Sequence, residues 1–282
     1  MANINPQPTR CKGEDMAETT GISWCDSTWN PWIGCTKVSP GCDHCYAAVS
    51  TPARTMNIVW GPNQPRKRTG ADNWQFPHRW NAQHDEFFAE HGRRRRVFCA
   101  SLGDVFDNEV DPAWRKALWT VVKNTPNLDW LILTKRIGNV AAMLPDDWGD
   151  YANGYPNVWL GISVVNQTEA DRGIQKLLRV PAAVRWLSME PLLEEVSFEG
   201  LFAEHPDPRV HLNVLELLDW VVVGGESGHH ARPMQASWVE SLRAQCEVCE
   251  TPFFFKQWGG SSKDKGGCLL NDIEVKAWPV AA

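Results

Sequence analysis

The sequence predicts an α/β fold built on parallel strands, and three observations carry that prediction. Short apolar runs rich in valine, isoleucine and tryptophan recur along the chain, helix-like patterns lie between them, and each run turns polar or glycine-rich at its C-terminal end. Runs that stay apolar throughout belong to strands buried on both faces, as in a parallel sheet covered by helices. Alternation of strand and helix calls for right-handed crossovers.

Six runs are read as strands: RVFCASLGDVFD (Arg96 to Asp107), DWLILTKR (Asp129 to Arg136), NVWLGISVVN (Asn157 to Asn166), VRWLSMEPLL (Val184 to Leu193), DWVVVGGESG (Asp219 to Gly228) and PFFFKQWGG (Pro252 to Gly260). Among the helical patterns, DPAWRKALWTVVKNTP opens with Asp111 as N-cap and Pro112 at the first helical position, where its missing N–H costs nothing. NQTEADRGIQKLL and SWVESLRAQCEVC are the other two. One domain is expected over residues 21–260, after a flexible lead (1–20) and before a C-terminal tail (261–282). Residues 51–92 read as a long insertion with no clear period, and about 197–213 as a shorter one.

The strand ends carry Asp104 and Asp107, Thr134 to Arg136, Ser163 and Asn166, Ser188 and Glu190, Glu226 and Ser227, and Lys256 and Gln257. In a parallel barrel these ends face one mouth, where active sites sit.

Composition narrows the function. With 43% apolar residues the chain can bury a core, and a net charge of -6 gives no global signal for nucleic acid. The local run GRRRRV (Gly92 to Val97) is either a phosphate-contacting patch or a solvated loop before a strand. The sixteen tryptophans serve packing or offer stacking platforms. No window approaches a membrane span, and the N-terminal stretch lacks the apolar core of a secretion signal, so a cytoplasmic protein is expected. Nine cysteines, an odd number, then favour metal or redox use over a disulfide framework.

GCTKVSPGCDHCYA (Gly34 to Ala47) holds Cys35, Cys42 and Cys45 in the spacing C-x6-C-x2-C. A structural zinc wants four ligands, for which Cys25 or His44 would have to supply the fourth. A [4Fe–4S] cluster held by three thiolates instead keeps one iron open to a small chelating ligand. Cys246 and Cys249 form a second, isolated C-x2-C; they are two small buried helix residues, or ligands of an auxiliary site with Cys268 or Cys11.

NPWIGCTKVSPGCDHCYA (Asn30 to Ala47) resembles the cluster loop of the radical SAM superfamily, in the branch that includes spore photoproduct lyase. SLGDVFDNEV and LILTKR resemble that branch's next two strand segments. From about Thr20 to Gly260 the chain is also similar to an uncharacterised, phage-associated family with the same three-cysteine motif. Its cysteine spacing differs from the superfamily's usual one: six residues, TKVSPG, separate the first two where three are common, and Pro40-Gly41 suits a turn that lets the excess bulge out.

The resemblance implies a partial (β/α) TIM-like barrel of the radical SAM type, about six parallel strands plus one further strand. It implies a [4Fe–4S] cluster on Cys35, Cys42 and Cys45, with His44 and Tyr46 beside it, and S-adenosyl-L-methionine on the open iron. Ser101, Gly103 and Asp104 would meet the methionine moiety, and Ser163 and Glu190 the ribose or methionine. An external electron donor is implied as well. The phage association points to an isomerase acting on an amino-acid-bearing thymine in DNA. Lys135, Arg136 and the arginine run would then contact phosphates, and Glu226, Lys256 or Gln257 would hold the amino acid. Cys99 is a hydrogen donor to the product radical or a small buried residue. The alternatives are a lyase acting on a DNA lesion and, in another class, a non-catalytic zinc protein that binds nucleic acid or a partner.

Overall fold

A computed structural model of the chain describes residues 20–149, 154–207, 209–262 and 264–279. The expected N-terminal lead, up to residue 19, and Cys11 with it lie outside the described residues. The elements follow the order β1 (Ser27–Trp29), β2 (Trp32–Ile33), α1 (Thr51–Thr55), β3 (Lys67–Arg68), α2 (Ala71–Ala82), α3 (His84–His91), β4 (Arg95–Cys99), α4 (Pro112–Lys123), β5 (Leu128–Thr134), α5 (Ile137–Met143), β6 (Val158–Ser163), α6 (Gln167–Leu178), β7 (Val184–Met189), β8 (Trp220–Gly224), α7 (Ala236–Val248) and β9 (Phe253–Gln257). Seven strands form one sheet in the order β1-β4-β5-β6-β7-β8-β9, every neighbour pair parallel, and the sheet curls into a half-barrel. Strands β4 to β9 are the six predicted runs; β1, three residues long, is the further one.

Helix starts follow local chemistry. The Asp111 carboxylate accepts from the Ala113 N–H at 2.8 Å, with Pro112 in the first turn of α4. At α6, Asn166 accepts from the Glu169 N–H while the Glu169 carboxylate reaches back to the Val165 N–H.

Strand alternation sorts the apolar runs onto two faces. Val97, Cys99, Trp130, Ile132, Leu160, Leu187, Val221 and Phe255 face the helices and pack with Trp119 of α4, Ile174 of α6 and Leu242 of α7. The opposite residues, Phe98, Leu131, Trp159, Trp186, Trp220 and Phe254, fill the inside of the half-barrel, joined by Trp24 and Trp278. The tryptophans make an indole floor: Trp186 lies 5.4 Å from Trp220 and 5.3 Å from Trp24, and Trp278 stacks on Trp220 at 4.9 Å. Gly161 makes this possible, because a Cβ there would stand 2.3 Å from the Trp186 ring.

Two expectations need correction. Residues 51–92 are more than an insertion: α2 and α3 form the crossover between β1 and β4, with Trp74 and Trp80 buried in the helix-side core. This crossover was hidden by the low amphipathicity of its helices and by Pro77 inside α2. The described part of the C-terminal tail pairs its backbone with β9 (Phe255 N to Val275 O, 2.7 Å) and delivers Trp278 to the indole floor. The arginine run lies at the N-terminal end of the sheet, opposite the polar strand ends, and its members have intramolecular partners. Arg93 forks onto Asp26 at 2.6 and 2.8 Å, Arg94 pairs with Asp129, Arg95 lies over Phe87, and Arg96 stacks on Trp278.

Candidate functional site

The inward-facing residue sets change character along the strands. From the indole floor toward the C-terminal ends they run Leu133–Lys135, Ser188–Glu190, Gly224–Glu226 and Phe254–Lys256. These ends surround a cavity of about 480 Å³, within the range of ligand sites. Cys35, Cys42 and Cys45 all line it, as do His44, Tyr46, Ser101, Gly103, Asp104, Lys135, Glu190, Glu226, Lys256 and Gln257. Residues separated by more than 200 positions are thereby brought to one place.

Two predicted site residues stand elsewhere. Cys99 has the same strand parity as Val97, so it is sealed among the helices on the far face of β4, and it is fully buried. It is the small core residue, not a hydrogen donor at the cavity. Ser163 lies beneath the wall, where its hydroxyl accepts from Lys135 Nζ at 2.7 Å.

The cysteine loop is held from three sides. Its excess residues close in a 3-10 turn at Pro40–Cys42, whose N–H at Gly41 is capped by the Ser39 hydroxyl. Gly41 presses against the end of β6; a Cβ there would stand 2.7 Å from Val165. On one side the Gly34 N–H donates to Leu102 O, Asn30 accepts from the Leu102 N–H at 2.7 Å, and the Tyr46 hydroxyl donates to Ser101 O. Ser101 and Gly103 thus lie against the loop. Ala100, just before them, has φ +60, a left-handed conformation uncommon for a residue with a side chain.

Beneath Cys35 runs a buried charge network. Arg136 Nη1 lies 3.3 Å from the Cys35 sulfur and 3.1 Å from Asp104 Oδ2, while Nη2 donates to Thr36 O at 2.7 Å. Arg66 donates to Asp107 at 2.8 Å and to the Thr36 hydroxyl at 2.7 Å. Both oxygens of Asp104 are filled, by the Thr134 hydroxyl and the Phe106, Lys135 and Arg136 donors. Asp104 thus holds Arg136 from the cavity lining. Burial pushes the Cys35 thiol up to about 11, against the pull of Arg136.

Across the cavity Lys256 Nζ lies 2.9 Å from Glu190 Oε1, and Trp24 Nε1 donates to the other Glu190 oxygen at 3.2 Å. Gly224 leaves the room for this carboxylate: a Cβ there would be 2.6 Å from Oε1. Glu226 receives His44 Nδ1 at 2.9 Å together with side-chain and backbone donors of Arg232. Trp60 also lines the cavity, and its buried indole N–H has no acceptor among the described residues.

Sequence reasoning missed Arg232 and Arg66, because each acts across a loop pairing that no local pattern encodes. It gave Arg136 to phosphates, whereas the chain turns it inward onto a thiol.

Among the described residues no three His, Cys, Asp or Glu side chains converge as ligands of one metal ion. Cys25, a candidate fourth zinc ligand, is buried beside Trp24 in the interior cluster and does not line the cavity, and His44 is engaged by Glu226. Ligands of a cubane cluster each bind a different iron, so they need to face a shared space rather than one point. Cys35, Cys42 and Cys45 line one cavity. At the second pair, Cys246 is buried in the helix-side core, where burial pushes its thiol up to about 12, and Cys249 caps α7 and packs against that core.

Fold and site define an α/β half-barrel protein with three cysteines at the mouth of a cavity. The chain belongs to a protein family of unknown function (DUF5131), whose model matches residues 19–278. Comparison with curated proteins and with solved structures gives no match.

Proposed function

We propose that this chain is a radical SAM-type enzyme in which Cys35, Cys42 and Cys45 hold a [4Fe–4S] cluster and the cavity takes S-adenosylmethionine. The observation that carries this reading is that three cysteines, and no others among the described residues, open into the cavity at the C-terminal ends of seven parallel strands. When bound, the cluster supplies the electron that cleaves the carbon–sulfur bond of S-adenosylmethionine. Around it, Arg136 offsets thiolate charge at Cys35, and the Glu226–His44 contact holds the loop between Cys42 and Cys45. The indole floor closes the cavity against water from below, as reactive intermediates require.

The Lys256–Glu190 pair offers an ammonium and a carboxylate side by side, complementary to the two charges of an α-amino acid. That favours an amino-acid-bearing substrate, in line with isomerisation of such a modified base. A base in duplex DNA would have to be extruded from the helix to reach this cavity. The arginine run plays no part, because it sits at the other end of the sheet.

Anaerobic purification with iron and sulfide reconstitution tests the reading. A brown protein that forms 5′-deoxyadenosine from S-adenosylmethionine and dithionite, and loses both properties when Cys35, Cys42 or Cys45 is replaced by Ala, is the expected result. A colourless protein carrying stoichiometric zinc overturns it and returns the chain to the non-catalytic class.

A further inference from the structure

We infer that Arg136 sets the reduction potential of the cluster by donating a charged hydrogen bond to the sulfur of Cys35, with Asp104 setting how much of that charge the cluster feels. The inference rests on the reading above. Arg136 stands two residues past the end of β5, at the N-cap of α5, and its side chain is only 7% exposed. Its guanidinium is fixed by Thr36 O, by Asp104 and, at 3.9 Å, by Asp107 Oδ1. A planar fork held on several sides cannot swing away from the sulfur it faces at 3.3 Å.

Hydrogen bonds to cluster sulfurs and net charge nearby are two of the levers that set an iron–sulfur potential. The reduced cluster carries one more negative charge, so a cationic donor at its ligand favours reduction. Removing the donor makes reduction harder. Asp104 acts with the opposite sign: neutralising it leaves the guanidinium uncompensated and makes reduction easier. Arg136 is therefore a positioning and tuning residue, acting through Cys35.

The test is dye-mediated potentiometry on the reconstituted full chain, with dithionite as reductant and the electron paramagnetic resonance signal of the reduced cluster as readout. Iron and sulfide content is measured in parallel. Arg136→Met is expected to lower the reduced-to-oxidised ratio at fixed poise about tenfold, which is about 59 mV for a one-electron couple. Arg136→Lys, keeping the charge but not the fork, is expected to fall between it and the wild type, and Asp104→Asn to shift the potential upward. Should Arg136→Met fail to hold its cluster, the Lys and Asn variants carry the test. Shifts of one sign in all variants, or no shift with cluster content intact, overturn the inference while leaving the proposed function standing. A wild-type chain that takes up no iron and sulfide overturns both.

Discussion

Arg232 and Glu226 lock together at the cavity rim: Arg232 Nη2 donates to Glu226 Oε1 at 2.6 Å, while its Nε and backbone N–H donate to Oε2 at 3.0 and 2.9 Å. The same guanidinium reaches Pro40 O at 2.9 Å and Asp43 at 3.3 Å. The end of β8 and the cysteine loop, nearly 190 residues apart in sequence, are thus fastened by one side chain. The loop's own regular structure is two short 3-10 turns, Pro40–Cys42 and Tyr46–Val49, so this fastening helps decide where Cys42 and Cys45 stand.

Arg232→Ala should therefore loosen the loop without dissolving the barrel. Amide exchange at Cys42 and Asp43 is expected to speed up about tenfold, corresponding to about 1.4 kcal/mol, while protection of β5 and β6 is unchanged. Equal protection in both proteins would show that the loop is held by its other contacts alone.

The latch also has a pH signature. Burial tends to raise the Glu226 carboxyl, but the Arg232 side-chain and backbone hydrogen bonds and the His44 contact outweigh it and hold it at about 2, below its ordinary value of 4.5. A folded value below the unfolded one contributes stability that is present above the unfolded value and is lost as pH falls through the folded one. Urea midpoints should fall between pH 4.5 and about 2, and Glu226→Gln should flatten the curve in that window. A Glu226→Gln curve parallel to the wild type would assign the acid sensitivity to other carboxylates.

Lys256 and Glu190 are both largely withdrawn from solvent at the cavity wall. Lys256→Met leaves the Glu190 carboxylate with only Trp24 as partner and should cost about 1–3 kcal/mol, while Lys256→Met combined with Glu190→Gln should recover most of it. Additive losses in a double-mutant cycle by denaturant unfolding would mean that the two side chains do not interact.

Gly161→Ala places a methyl group 2.3 Å from the Trp186 indole, so the ring must leave its seat. A loss of about 1–3 kcal/mol is expected from overpacking, with an altered near-ultraviolet circular dichroism spectrum from the indole cluster. Trp186→Leu in the same chain should restore part of the stability. If the single substitution left both stability and spectrum unchanged, the floor would be looser than the contacts require.

Much of this architecture is legible in the chain. Apolar runs without alternation mark strands buried on both sides, and the Asp111-Pro112 start of α4 is a local signal. The polar strand ends announce a shared mouth, and all but Cys99, Asp107, Ser163 and Asn166 of the residues singled out for the site line its cavity. Where reading failed, the competing physics can be named. A run apolar on both faces hides its parity, so Cys99 carries no sign of which way it points. Pro77 and low amphipathicity concealed α2, whose helix is stabilised by burying Trp74 and Trp80 against the sheet.

By itself the sequence determined the strands β4 to β9, the helices α4, α6 and α7, the three closely spaced thiols and the polar character of the strand ends, because these depend on side-chain periodicity and on spacing along one chain. Only the tertiary structure decided what each charge faces. Arg93 to Arg96 are spent at the bottom of the sheet, Arg136 turns onto Cys35, and Arg232 ties Glu226 to the cysteine loop. A buried charge must find a partner wherever the fold brings one within reach, and that partner is set by packing in three dimensions.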